Sequence, residues 1–325
     1  MTAKPESAET VAPFAAELRD VVVRYDRDGE PALDRTDLSI PAGTITGLLG
    51  RNGAGKSTLL SLLAGFRRPT SGEVLVGEPG SLEAAYENPW ASMNVQLVRE
   101  SGDVWGDERV SESLSHYELL RPAWDADLAG LVLDTLEVDR CTKYEALSRG
   151  KKSAVAAAVG LASRAPLTIF DEVYLGMDAP SRYAFYDLLL ADYAEHPRTI
   201  VLSSHLIEEI ERLFEHVAIL DHGRTLLSEP AEDLRGRGTS LTGPADVVAR
   251  HVGDRRVLSE QRLGRTAQVA VLGSFDAAQR AAAVSDGLEL DGVTLQDLFV
   301  HLTATDVAPA EPNSGAPVAQ PQEER

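Results

Sequence analysis

The chain has 325 residues, 43% of them hydrophobic, which is enough for a substantial core and, at roughly 150 residues per domain, for about two domains. A formal charge of −20 argues against nucleic acid or an anionic membrane held through the general field, while leaving room for a local basic groove. A single cysteine, Cys141, excludes an intrachain disulfide and any zinc spacing, and with no signal-peptide pattern and no apolar run near ~20 residues the expectation is a cytoplasmic chain.

In chain order, residues 1–13 are small, polar and acidic and read as a disordered arm. Residues 18–25 (LRDVVVRY) and 38–40 have strand character, and Pro41-Ala42-Gly43 turns into an apolar run over 44–49. Residues 57–64 are helical in period, Gly65 is placed to end that helix, and 73–76 form a short strand after the turn RRPTSG. Residues 80–98 carry little pattern beyond a strand at 95–98. Apolar positions from 110 to 138 follow a helical period broken at Pro122, and an alanine-rich helix spans 149–163. This helical insertion, about 99–163, interrupts an alternation that resumes with a buried strand at 166–171, a helix at 181–194, a strand at 199–202 and a helix at 206–214. A hairpin follows around Asp221-His222-Gly223-Arg224. Such alternation predicts an α/β fold with a mainly parallel sheet. From about residue 237 to 303 strands at 256–258 and 268–272 and helices at 277–284 and 295–302 suggest a small α+β appendage, and 304–325 reads as a disordered tail.

The stretch Gly50-Arg51-Asn52-Gly53-Ala54-Gly55-Lys56-Ser57-Thr58, between a strand and a helix, is the pattern of a P-loop. Gly50, Gly53 and Gly55 let the backbone wrap a phosphate with its N–H groups inward. The helix beginning at Lys56 aims its positive dipole end at the same group, Lys56 reaches the β- and γ-phosphates, and the Ser57 hydroxyl can ligate Mg²⁺. Asp171 ends a buried strand, where open α/β sheets bind ligands, and is the natural partner for that Mg²⁺. Glu172 follows and can orient a water and accept its proton for attack on the γ-phosphate. The competing readings are a glycine-rich turn before an ordinary helix, and two solvated carboxylates.

With these motifs in place, residues 16–236 resemble the ATP-binding subunits of ABC transporters. The resemblance implies a P-loop NTPase fold with an antiparallel β subdomain beside the parallel sheet, ATP and Mg²⁺ as cofactors, ATP hydrolysis, and two chains sandwiching two nucleotides. Leu147-Ser148-Arg149-Gly150-Lys151 resembles the family's Leu-Ser-Gly-Gly-Gln signature, so Ser148 and Gly150 would meet the γ-phosphate bound by the opposite chain. Alone, Ser148 reads as a plain helix N-cap. By the same resemblance His205 is the switch histidine, catalytic with Glu172 and Lys56. Asp178 belongs to the loop that crosses the dimer interface, and Tyr25 stacks on adenine. The coupling-loop position falls on Glu100 by spacing, with Gln96 as the alternative that has the usual side chain. Arg149 and Lys151 depart from the signature and add cations that either steady a phosphate or face solvent, and Val173 stands where proline usually follows the glutamate.

The resemblance further implies a separate transmembrane permease subunit as partner, attachment to the inner face of the membrane through it, and export as the preferred direction, with no nucleic acid expected. Two competitors remain: a soluble ATPase of the same type acting on ribosomes or DNA, and a non-hydrolysing, ATP-gated regulatory subunit.

Overall fold

The computed structural model describes residues 12–26, 29–99, 104, 106–204 and 207–304. Most of the expected N-terminal arm, and the tail from residue 305, lie outside them. Strands β1 (Ala15–Val23) and β2 (Leu33–Ile40) pair antiparallel, β3 (Ile45–Leu49) runs into helix α1 (Lys56–Leu63), and β4 (Ser71–Glu78) and β5 (Ser81–Ala84) complete an antiparallel sheet in the order β2-β1-β4-β5. Helix α2 (Pro89–Asn94) leads into β6 (Val95–Arg99). The insertion supplies α3 (Val110–Leu120), α4 (Ala126–Thr135) and α5 (Arg149–Ala162). Then come β7 (Leu167–Asp171), α6 (Ala179–Glu195), β8 (Thr199–Ser204), α7 (Ile207–Ile210), β9 (His216–Asp221) and β10 (Arg224–Pro230). The central sheet has the order β10-β9-β3-β8-β7-β6, parallel throughout except for β10 at its edge.

The strands of this sheet are apolar on both faces because both faces are covered. Along β7, Leu167 and Ile169 pack with Leu59, Leu62 and Leu63 of α1, while Phe170, between them and Asp171, points to the opposite layer formed by α5 and α6. β8 does the same, with Val201 in one layer and Ile200 and Leu202 in the other. The alanine richness of α5 lets it lie close to the sheet. An added Cβ at Gly160 would run into the Phe170 ring. Pro122 separates α3 from α4, and Asp125 restarts the chain as an N-cap, its Oδ1 accepting the Leu128 N–H at 2.8 Å.

After α8 (Ala231–Arg235), the chain builds β11 (Gly238–Pro244), α9 (Ala245–Val252), β12 (Val257–Leu263), β13 (Thr266–Leu272), α10 (Ala277–Ser285) and β14 (Glu289–Gly292), and ends its described part with α11 (Leu295–Ala304). The four strands pair antiparallel in the order β12-β13-β11-β14, the ferredoxin-like βαββαβ arrangement. Leu241, Val248, Val269, Val271 and Leu288 form a core of its own. Helix α11 turns away from that core. Leu295, Leu298 and Phe299 join Ile207, Ile210, Leu213 and Leu234 in the main core, and the Leu295 N–H donates to Glu211 Oε2 at 2.9 Å. Burial pushes the Glu211 carboxyl above its usual range, against the pull of that N–H.

Two features differ from the sequence expectation. The helix expected over 206–214 is α7 followed by a 3₁₀ turn at Glu211–Leu213, because Glu211 is drawn to other partners: its carbonyl accepts Arg235 Nη2 at 2.7 Å while its side chain caps α11. The strands β11 and β14, the helices α8 and α9 and the pair β5–α2 lie outside the sequence expectation; β5 and β14 are exposed on most positions and carry almost no apolar alternation, whereas β11 is buried from Gly238 to Leu241.

Leu298 is 3% exposed and belongs to the core that α11 shares with α7 and α8. Leu298→Ala is expected to destabilise this docking by about 2–5 kcal/mol. Hydrogen exchange checks it: amides of α11 lose protection while those of β3 keep theirs.

Candidate functional site

Strand register assembles the site. At the carboxyl ends of the parallel strands, Leu48 is opposite Ser203 and Ser203 is opposite Asp171, with Arg99 next in the row. One residue on, Leu49 faces Ser204. The loop that starts at Gly50, the pair Asp171-Glu172 and the end of β8 are therefore neighbours, although they lie far apart in sequence.

The loop over residues 50–55 is pressed from beneath by two other segments. Gly223, in the turn between β9 and β10, donates its N–H to Ala54 O at 3.0 Å, and its carbonyl accepts the Asp34 N–H at 2.9 Å. Gly55 has φ of +102°, and a Cβ there would meet Ala32 O at 2.5 Å, so both conformation and space demand glycine. Helix α1 starts directly after it with no side-chain cap among the described residues, which leaves its first N–H groups for a ligand. Lys56 is 6% exposed, and its Nζ donates to Gly50 O at 2.7 Å and Arg51 O at 3.3 Å. It also lies 3.5 Å from Glu172 Oε1. Ser57 is exposed at the mouth of the loop, and Arg51, Asn52 and Gly53 are exposed along it.

Asp171 is buried and its Oδ1 accepts the Ser203 hydroxyl at 2.6 Å. Glu172 has φ of +53°, a left-handed conformation that costs a non-glycine residue about 1–3 kcal/mol and gathers at functional sites. Its N–H donates to Ser203 Oγ at 3.1 Å. Tyr174, fully buried, donates its hydroxyl to Ser203 O at 3.0 Å, and burial raises its pKa so that it remains a donor. Val173 is fully buried.

The donor set suits a magnesium nucleotide. It holds a buried ammonium bonded to carbonyls that can exchange for phosphate, open helix N–H groups, the Ser57 hydroxyl and two adjacent carboxylates. An added Cβ at Gly53 would meet nothing within 4 Å, so the loop opens outward there. Ser57 and Asp171 would hold Mg²⁺, a hard cation that takes oxygen ligands and bridges phosphate oxygens.

The other expected residues are more scattered. Ser148 caps α5, its Oγ accepting the Lys151 N–H at 3.4 Å. Gly150 lies against Gly176, whose carbonyl would be 2.8 Å from an added Cβ, so the start of α5 is locked to the turn that follows Glu172. Lys151 turns away from that end: its Nζ donates to Leu136 O at 2.7 Å and sits 3.7 Å from Glu137, completing the C-terminus of α4. Of the two departures from the signature, Lys151 thus serves the insertion, while Arg149 is exposed. Asp178 caps α6, and its bonds from Ser181 hold its carboxyl below the usual range. Tyr25 is half exposed. Its hydroxyl pairs with Thr58 Oγ1 at 3.0 Å, and the Arg67 guanidinium stacks over its ring at 4.0 Å. An adenine on Tyr25 would share or displace that stacking. Gln96 lies inside β6, 2% exposed, its Nε2 donating to Leu97 O at 3.0 Å while its Oε1 finds no hydrogen-bond partner among the described residues. Glu100 and His205 lie outside the described residues. Sequence reasoning missed Ser203 and Tyr174, and Arg67 beside Tyr25. The only sequence signal for Ser203 was a hydroxyl at the end of a buried strand.

Residues 33–174 match the family model described as ABC transporter. Residues 33–174 therefore carry a domain of the ABC transporter family. The chain is 30% identical over 223 residues to the retinal-specific phospholipid-transporting ATPase of Mus musculus, covering 65% of this chain and 9% of that protein. It is 31% identical over 215 residues to the methionine import ATP-binding protein of Bradyrhizobium diazoefficiens, covering 64% of this chain and 62% of that one. The fold of the ABC domain is shared with a dimeric ATP-binding cassette solved with ADP and Pi, at a TM-score of 0.58 and 22% identity over 66% of this chain and 98% of that one. The chain thus spans less than two thirds of these curated relatives, and its own nucleotide chemistry is read from the site.

Gly55→Ala is expected to weaken binding of a fluorescent ATP analogue at least tenfold by displacing the loop from Ala32 and Leu33. An equivalent substitution at Gly264, where φ of +62° imposes the same kind of backbone strain but a Cβ meets nothing within 4 Å, leaves that affinity unchanged.

Proposed function

We propose that the chain is the ATP-hydrolysing subunit of an ABC transporter, acting on transport through a separate transmembrane permease at the cytoplasmic face. The observation that carries this reading is the Lys56–Glu172 approach of 3.5 Å, which brings the phosphate-binding cation and the proposed base together above the ends of β3 and β7, the two strands that flank β8. Lys56 and the open N–H groups of α1 grip the phosphates, and Ser57 and Asp171 would hold a Mg²⁺ that would supply charge neutralisation there. Glu172 accepts the proton of the attacking water. His205 orients the same water, and Glu100 senses the permease. Ser148 and Gly150, at the head of α5, face the nucleotide of a second copy or a related subunit, with Asp178 at the interface between them. Tyr25 holds the adenine.

Transport as the purpose is supported by the names of the relatives, one phospholipid-transporting and one an import subunit. Export is preferred because an ATP-binding domain followed by a small sheet unit resembles bacterial exporter subunits. Among the described residues no helix is long and apolar enough to cross a membrane. A second reading, a non-hydrolysing subunit gated by ATP, is favoured by the altered signature, in which Arg149 replaces a glycine.

Glu172→Gln is expected to bind ATP with wild-type affinity, hydrolyse it about 100-fold or more slowly, and accumulate as an ATP-dependent dimer in light scattering. Lys56→Ala loses nucleotide binding. Wild-type hydrolysis by E172Q would contradict the base assignment, and an absence of phosphate release from the wild-type chain, alone and with its permease, would favour the gated subunit.

A further inference from the structure

We propose that Ser203 is a positioning residue for the metal–nucleotide site, a single buried hydroxyl that sets the Asp171 carboxylate and the Glu172 backbone together. The proposal rests on the reading of Asp171 as metal ligand and Glu172 as base.

A serine hydroxyl has one proton to give and lone pairs to receive. Ser203 gives its proton to Asp171 Oδ1 at 2.6 Å, within the range of a hydroxyl donating to a carboxylate, and receives the Glu172 N–H at 3.1 Å. Ser203 is fully buried, so neither bond competes with water. The residue sits in β8, paired on one side with Leu48, two residues before the phosphate loop, and on the other with Asp171. Its own carbonyl is fixed by the Tyr174 hydroxyl at 3.0 Å, and Tyr174 lies two residues beyond Glu172. The chain therefore closes on itself: Asp171, Glu172 and Tyr174 all bond to the same residue of the neighbouring strand.

Two consequences follow. The bond to Oδ1 fixes the rotation of the Asp171 carboxylate, so the direction in which it offers its oxygens to a cation is set before the cation arrives. Partners of this kind, one bond out from a metal, set ligand orientation and affinity. The bond from the Glu172 N–H holds the left-handed backbone of that residue, and with it the start of the side chain that reaches Lys56. An alanine of nearly the same volume would fill the space and lose both bonds.

The experiment uses the full chain and Mn²⁺ as a paramagnetic probe, titrated by electron paramagnetic resonance in the presence of a non-hydrolysable ATP analogue. Ser203→Ala is expected to weaken Mn²⁺ binding about 10–100-fold, while binding of a fluorescent ATP analogue in chelator, without metal, stays at the wild-type level. Ser203→Thr, which keeps the hydroxyl, restores the metal affinity. A merely structural role for Ser203 would lower the melting temperature of the alanine variant and leave its Mn²⁺ affinity unchanged, and that result overturns the proposal. If the alanine variant does not fold, Ser203→Cys carries the test, with weakened Mn²⁺ binding expected from its poorer donor and unchanged binding overturning it. A wild-type chain that binds nucleotide but takes up no Mn²⁺ overturns the reading of Asp171, and the role of Ser203 with it.

Discussion

Parallel pairing of β8 with β3 on one side and β7 on the other is the constraint on which the site depends. A parallel ladder fixes which residues lie side by side at the strand ends, and a slip of one residue would turn each strand's side chains to the opposite layer. Because both layers are packed with apolar side chains, that slip is strongly disfavoured. Leu48, Ser203 and Asp171 consequently share one row, and the glycine loop begins just beyond it. Lys56 and Glu172, which sequence separates by more than a hundred residues, come within ion-pair distance as a result.

The loop itself owes its shape to what lies beneath it. Leu220 O beneath Gly50, and the chain at Ala32 and Leu33 beneath Gly55, leave room for backbone only, and the turn at Gly223 bonds Ala54 between them, so the loop is held from below while the phosphate-binding side stays open. Support of this kind presents N–H groups in a fixed array, which is what electrostatic binding of a phosphate requires, since little reorganisation then accompanies binding. The same economy of space recurs where Gly150 meets Gly176, tying the helix headed by Ser148 to the turn after Glu172. A shift of that turn would move the head of α5.

The ferredoxin-like unit is joined to the ATP-binding domain by more than its connecting chain. It has its own apolar core, yet α11, which follows its last strand, packs on α7 and α8 and takes its N-terminal cap from Glu211. Helix α7 begins at Ile207, just after the segment that contains His205. A contact of this kind combines a hydrogen bond with a favourable helix dipole, and here it links α11 to the turn that follows α7.

The nucleotide-binding stretch was legible in the sequence because its chemistry is local. Nine consecutive residues from Gly50 to Thr58 contain the glycines, the lysine and the hydroxyls, and a buried strand ending in Asp171-Glu172 announces itself by an apolar run that stops at two acids. Periodicity also gave α5, α6 and the parallel alternation, since burial on one or two faces leaves a regular imprint. What the sequence could not carry was direction and partnership across the fold. Lys151 reads as a cation that either steadies a phosphate or faces solvent, whereas its ammonium sits at the end of α4, and residues 206–214 read as one helix, whereas Glu211 bonds to Arg235 and to α11. Short exposed strands such as β14 left no imprint at all. Sequence by itself determined which groups could hold a nucleotide, because covalent order places them on one loop. Only the tertiary structure decided that Ser203 bonds both Asp171 and Glu172, because strand register, which no local pattern encodes, brings them together.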